Sequence, residues 1–380
     1  MSIATRNRFT VVTCLSVAAV LGACSGGDDS TGSGGSSGAG AGTSGSAGVA
    51  GASAAGGIAG VGATGGANAA GTSAGGAAGA TTAGTGGVYA GPQRLSETGL
   101  YKDIRSRELA DGVVTYGVQY PLWSDGSVKT RYFLLPQGTV IDVSDPDHWR
   151  FPVGARAWKQ FEREGKLIET RIVRKTASGF DAVAYVWRAD GSDADVAPDG
   201  LEDASGTAHD VPSEAQCLEC HQNSHDYFLG LTAVQLSTVE AQSELQRFAA
   251  AGWLSGPPLA EFHAPGTSEQ SAGLGYLHGN CGHCHRFEHA IGQKLGLSLG
   301  LRTTDADFSQ TGFAVSAPGT LAKHTIGGTT VIVVPGQPAQ SQLWVRSGLR
   351  DLEGMPPVGT ELVSQPGQDA IAQLIVSLSQ

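Results

Sequence analysis

Residues 268–285 read Ser268-Glu269-Gln270-Ser271-Ala272-Gly273-Leu274-Gly275-Tyr276-Leu277-His278-Gly279-Asn280-Cys281-Gly282-His283-Cys284-His285. The first thirteen residues can form a helix carrying Leu274 and Leu277, and the last five place two cysteines two residues apart with a histidine directly behind them. The same pattern stands upstream as Cys217-Leu218-Glu219-Cys220-His221. Of the six cysteines in the chain, only Cys14 and Cys24 lie outside these two motifs.

Two thiols at this spacing match the two vinyl groups of a haem, to which they add as thioethers, and the adjoining histidine reaches the iron from the same side. Cys217, Cys220, Cys281 and Cys284 are therefore the expected attachment points of two covalent c-type haems, with His221 and His285 as iron ligands. The alternatives are one true attachment site beside an incidental motif, a zinc site and disulfides. Two pairs about sixty residues apart are wider than a zinc ribbon or finger, and zinc leaves a histidine after each pair without a reason. Disulfides at this spacing are strained and usually occur in a thioredoxin-like βαβ setting, which is not evident here.

Beyond the leader there is one methionine, Met355, within Gly354-Met355-Pro356-Pro357. Residues 369–378 behind it read as an amphipathic helix with Ala370, Ile371, Leu374, Ile375 and Leu378 on one stripe. Helix, motif, loop, methionine and helix follow the layout of a class I cytochrome c domain, so Met355 is expected as sixth ligand of the second haem. A thioether there favours ferrous iron, and gap-filling packing is the alternative. One methionine serves one iron. Candidates for the sixth side of the first haem are His209, His225, His263, His278 and His324, a water or another donor. His225, four residues after His221, would share its face, and His278 could bridge the two haem regions.

The chain opens on a short basic segment with Arg6 and Arg8, and residues 9–21 form an apolar run too short to span a membrane comfortably. Leu21-Gly22-Ala23-Cys24 then reads as a lipobox, so residues 1–23 are expected to be a lipoprotein signal peptide and Cys24 the lipidated N-terminus. Ser25, in place of Asp, suits delivery to the outer membrane, facing the periplasm or the cell surface. Residues 24–91 are Gly, Ala, Ser and Thr with few apolar residues, and 26 of the 57 glycines of the chain fall within residues 1–91. Such a stretch cannot bury enough apolar surface to offset its chain entropy, and is expected to be a disordered tether with a reach of about 45 Å. The formal charge is −11, and loss of a leader containing Arg6 and Arg8 takes it to −13. Phosphate contacts need Lys and Arg, so nucleic acid is excluded as a partner.

From residue 95 to residue 209 the pattern has period two. Strands are expected at 113–120, 128–135, 139–143, 167–174 and 182–188; in the last, Val183, Tyr185 and Trp187 fall on one face and Ala182, Ala184 and Val186 on the other. Pro121, Ser124-Asp125-Gly126, Pro136-Gln137-Gly138 and Ser178-Gly179 punctuate them, and 121–126 reads as a buried turn. The acidic stretch 190–210 lacks the register of a calcium loop and reads as solvated. The fold class is α+β: a mostly antiparallel β domain at 92–212, a first haem-attachment segment at 213–262, and an α-helical, cytochrome c-like domain at 263–380.

Residues 95–380 resemble a poorly characterised family of bacterial diheme c-type cytochromes. The pieces that carry the resemblance are Tyr120-Pro121-Leu122-Trp123-Ser124-Asp125-Gly126, Trp149-Arg150-Phe151-Pro152-Val153-Gly154, Glu169-Thr170-Arg171, Leu229-Gly230-Leu231, Tyr276-Leu277-His278-Gly279-Asn280, Val334-Pro335-Gly336, Met355-Pro356-Pro357 and the two motifs. The resemblance implies haem binding and electron transfer and supplies no substrate. A sheet leading into a haem motif is also similar in layout to the lysine-crosslinked haem cytochromes of bacterial nitrogen metabolism, which makes Lys159 and Lys166 candidates for contact with the first haem. The expected function is membrane-tethered electron transfer with redox partner proteins in the periplasm or at the cell surface. A diheme peroxidase or oxidase using the first haem as reactive site is the alternative, and a structural or metal-binding surface lipoprotein the third class.

Overall fold

The computed structural model describes residues 89–223, 225–238 and 242–379. The lipobox with Cys24, and all but the last residues of the expected tether, lie outside the described residues. The described residues form one compact α+β unit.

Its centre is a six-stranded antiparallel sheet in sequential order: β1 (Val113–Tyr116), β2 (Val128–Leu134), β3 (Arg156–Arg163), β4 (Lys166–Thr176), β5 (Gly179–Trp187) and β6 (Ala194–Val196). Short polar turns join β3 to β4, β4 to β5 and β5 to β6 as antiparallel neighbours, whereas residues 117–127 and 135–155 make longer connections between β1, β2 and β3. The register aligns Tyr132, Trp158, Ile172 and Val183 in one row and Phe133, Ala157, Val173 and Ala182 in the next, on opposite faces. The first row joins a core with Leu95, Leu100 and Tyr185. The second joins another with Cys217, Phe228, Leu231 and Phe248. Both faces are thus covered.

Three expectations are corrected. The strand expected at 113–120 ends at Tyr116; beyond it Gln119 donates to Gln235 instead of to a strand. Residues 139–143 form no strand: Ile141 and Asp142 make isolated bridges to Leu254 and Arg150, in a segment closed by Pro136 and Pro146. The acidic stretch is not all solvated loop, because Ala194–Val196 pairs with β5 and Asp193 is buried against Ser96.

Four helices matter to the site: α1 (Glu214–His221), α2 (Glu244–Ala250), α3 (Ser268–Asn280) and α4 (Gln365–Ser377). The hydroxyl of Ser213 accepts from Gln216 N–H and that of Thr267 from Gln270 N–H, each within a capping box. The apolar stripe of α4 buries Ile371, Leu374 and Ile375 with Leu274 and Leu277 of α3 and Leu297, Leu299 and Leu301. The helices approach closely because α3 carries Gly273, whose added Cβ would lie 2.5 Å from the Cβ of Leu374. Among the described residues no helix is long and apolar enough to cross a membrane.

Candidate functional site

The first motif lies on α1, which packs on the sheet through buried Cys217. Cys217, Cys220 and His221 line one cavity of about 380 Å³, within the roughly 300–1,000 Å³ range of cofactor sites. Its walls include Ala157, Lys159, Arg171 and Val173 of the sheet, Phe228, and Pro356-Pro357. The Nδ1 of His221 donates to the Tyr227 carbonyl at 2.7 Å, which leaves Nε2 free to coordinate. Burial pushes His221 down to about 4, so the ring is neutral, the form that binds a metal.

The second motif follows α3 directly. Cys281 and His285 share an apolar cavity of about 110 Å³ with Met355, among Leu295, Leu297, Leu299 and Leu343. This cavity is smaller than a porphyrin as it stands; part of its wall is a hairpin of Leu321–Ile326 and Thr329–Val331 that leaves Leu321 exposed. Burial holds His285 at about 4, and its buried Nδ1 has no hydrogen-bond partner. An unpartnered imidazole and a thioether in one apolar slot are a donor set suited to iron.

The motifs meet. A ligand atom each of Cys220, His283 and Cys284 lie within 4.8 Å of one another. Hydrogen bonding with Cys284, then burial, pushes the Cys220 thiol up to about 12, burial alone carries Cys281 to about 12, and burial against the opposing charge of Arg171 carries Cys217 to about 11. The hydrogen bond with Cys220 lowers the fourth thiol, Cys284, which lines the first cavity with Cys217 and Cys220, whereas Cys281 lines the second.

The candidate sixth ligands of the first haem do not gather around His221. His209 is buried between Glu169 (2.7 Å) and Ser127 (3.1 Å), and His263 bonds Gln119 at 2.9 Å. The Nδ1 of His278 accepts from Leu301 N–H at 3.0 Å. His324 lines the second cavity, beside Met355. The side chain of His225 lies outside the described residues. The nitrogen donors that do share the cavity with His221 include Lys159, Arg171 and His283. Lys159 is in place and Lys166 is not: Lys166 is exposed at the start of β4. Burial, with Arg131 and Arg171 nearby, holds Lys159 well below the lysine range. Sequence reading missed Arg131, Arg171 and His283, because only the strand register and the meeting of the two motifs bring them to the site.

The turn at 121–126 ties the halves of the unit together. Trp123 N–H donates to Asn280 Oδ1 at 2.7 Å, and buried Asp125 accepts from Thr360, Glu361 and Leu362, just beyond Pro356-Pro357. No protein-family model, no curated protein and no solved structure matches the chain.

Proposed function

We propose that the chain is a diheme c-type cytochrome that transfers electrons between two adjoining haems. Cys217 and Cys220 would hold the first haem with His221 on its iron, and Cys281 and Cys284 the second with His285 and Met355. The single observation that carries this reading is the meeting of the two motifs: Cys220 and Cys284 come within 4.8 Å and line the first cavity together with Cys217 and His221, while Cys281 and His285 line a second cavity with Met355. Haems attached there would adjoin at their thioether edges, the arrangement that passes electrons from one to the other. The protein groups supply orientation and electrostatics, and the haems the redox chemistry. The resemblance to bacterial diheme cytochromes supports the same reading. So does the lipobox, which would anchor the protein in the outer membrane through Cys24, within reach of redox partner proteins in the periplasm or at the cell surface.

A second reading has an observation of its own. None of His209, His263, His278 and His324 lines the first cavity, which leaves the sixth side of that haem to a weaker or displaceable donor, as in a peroxidase or oxidase. Carbon monoxide added to the reduced protein separates the two readings: a pure carrier leaves both spectra unchanged, and a reactive first haem binds the gas while the second does not. A zinc site on Cys220, His283 and Cys284 would leave Cys217, Cys281, His221 and His285 without a role. Haem staining on a denaturing gel, positive for a covalent cytochrome and blank for a zinc protein, tests the assignment.

A further inference from the structure

The register of the sheet sets Arg131 opposite Lys159 and Lys159 opposite Arg171. Three cations therefore stand side by side across β2, β3 and β4, two residues along from the Phe133–Ala157–Val173 row and on the same face. Like charges directly opposite on one face of a sheet destabilise it. Arg171 has a counter-charge, since Glu169 accepts from its Nε at 2.9 Å. Among the described residues Arg131 and Lys159 have neither an ion pair nor a side-chain hydrogen bond. Lys159 and Arg171 line the cavity of the first motif, and Lys159 and Arg131 a smaller adjoining one of about 100 Å³. The carboxylates nearby are committed or unpaired with the row. Asp147 accepts from Thr303 at 2.9 and 3.1 Å, Glu288 pairs with Arg286 at 3.4 Å, and Glu219 lines the first cavity without an ion pair to either cation.

We propose that Arg131, Lys159 and Arg171 bind a small inorganic oxyanion against the open side of the first haem, an inference that rests on the diheme reading. A planar or tetrahedral oxyanion accepts several charge-assisted hydrogen bonds at once, and Arg presents its donors in a fork that matches two oxygens. The alternative source of the same chemistry is the haem itself, through its propionates. Those leave the porphyrin on the edge opposite the thioethers, whereas Lys159 and Arg171 share their cavity with Cys217 and Cys220. Lys159 interacts with Cys220 and Arg171 with both Cys217 and Cys220, so these two would meet a bound ring near its thioether edge, with Arg131 reaching from the adjoining cavity. A free anion is the occupant this placement favours.

The test uses the mature protein with its haem content counted on the same sample, titrated with sodium nitrite and, for comparison, sodium chloride. The expected result is a saturable change in the spectrum of one haem with nitrite and a rise in melting temperature, because a ligand that binds only the folded state stabilises it. Lys159→Gln and Arg131→Gln should each weaken nitrite binding about tenfold or more, the size expected for one charged hydrogen bond. Both variants relieve repulsion, so they should melt no lower than the wild type in the absence of nitrite, which shows that a loss of binding is not a loss of fold. Two haems with no nitrite response in spectrum or melting overturns the proposal and leaves the diheme reading standing. Nitrite binding that neither variant weakens overturns it too. So does a variant that only shifts the potential of the first haem, which would assign the row to its propionates. A sample without haem sinks the diheme reading instead, and a nitrite-dependent melting shift in that sample would show an anion site independent of it.

Discussion

The Nδ1 of His221 donates to the carbonyl oxygen of Tyr227 at 2.7 Å. That carbonyl is aimed by a short loop in which Asp226 and Tyr227 take left-handed backbone angles, φ 53° and 68°. Asp226 anchors the loop: its carboxylate accepts from Phe151 N–H at 2.6 Å and pairs with Lys175. Fixing one imidazole nitrogen fixes where the other points, so the loop acts on any iron that His221 binds.

Asp226→Ala is therefore expected to loosen His221 without touching it. Electron paramagnetic resonance of the oxidised protein should show one low-spin signal broadened or shifted and the other unchanged. Two unchanged signals would mean that the Tyr227 carbonyl does not orient a ligand.

Met355 and His324 both line the second cavity. If Met355 is the sixth ligand, Met355→Ala abolishes the weak far-red band of an iron–thioether bond and lowers the potential of that haem, whereas His324→Ala leaves both unchanged. Were Met355 only packing, the wild type would already lack the band, and Met355→Ala would cost stability alone.

Gly273 gives a test of packing in which the sign is the result. Replacing a helix-interior glycine with alanine ordinarily gains about 0.5–1 kcal/mol. Here the new methyl would lie 2.5 Å from the Cβ of Leu374 and 3.0 Å from the Ala370 carbonyl oxygen. Gly273→Ala is expected to cost about 1–3 kcal/mol by forcing α3 and α4 apart, measured by denaturant unfolding.

Glu169 is fully buried between Arg171 and His209. Burial raises its carboxyl, but Arg171 and the His209 hydrogen bond outweigh that and hold it below its usual range. A depressed carboxyl contributes stability that is present above its unfolded value, about 4.3, and is lost as pH falls through the lower folded value. Glu169→Gln should cost about 3 kcal/mol at neutral pH, because it leaves the half-buried Arg171 without its counter-charge. The gap between wild type and variant should narrow as the pH is lowered below about 4. A gap that stays constant with pH would show that the carboxylate charge is not what the site uses.

The sequence was most legible where a single periodicity governs a segment. The helix expected at 268–280 is α3 residue for residue, with Thr267 as its cap. The C-terminal helix begins at Gln365, four residues before the expected start at Asp369, because Ser364 caps it and Pro366 suits its first turn. The strand Arg156–Arg163 escaped because both its faces are buried. Trp158 points into one core, Phe161 lies on the other face, and a register shift falls between Phe161 and Glu162. Its pattern of charged and apolar residues therefore matches neither template. The same strand carries Lys159, so the cationic row was invisible for the same reason: Arg131, Lys159 and Arg171 lie far apart in sequence and become neighbours only through pairing. The motif cysteines and histidines and Met355 could be named as candidates because local spacing alone singles them out.

The most direct measurement is the intact mass and metal content of the protein purified, in native form, from a host that matures c-type cytochromes. Two covalent haems are expected, one lost on replacing Cys217 and Cys220 with Ala and the other on replacing Cys281 and Cys284. Zinc bound with no haem, or a mass equal to that of the polypeptide alone, would contradict the account.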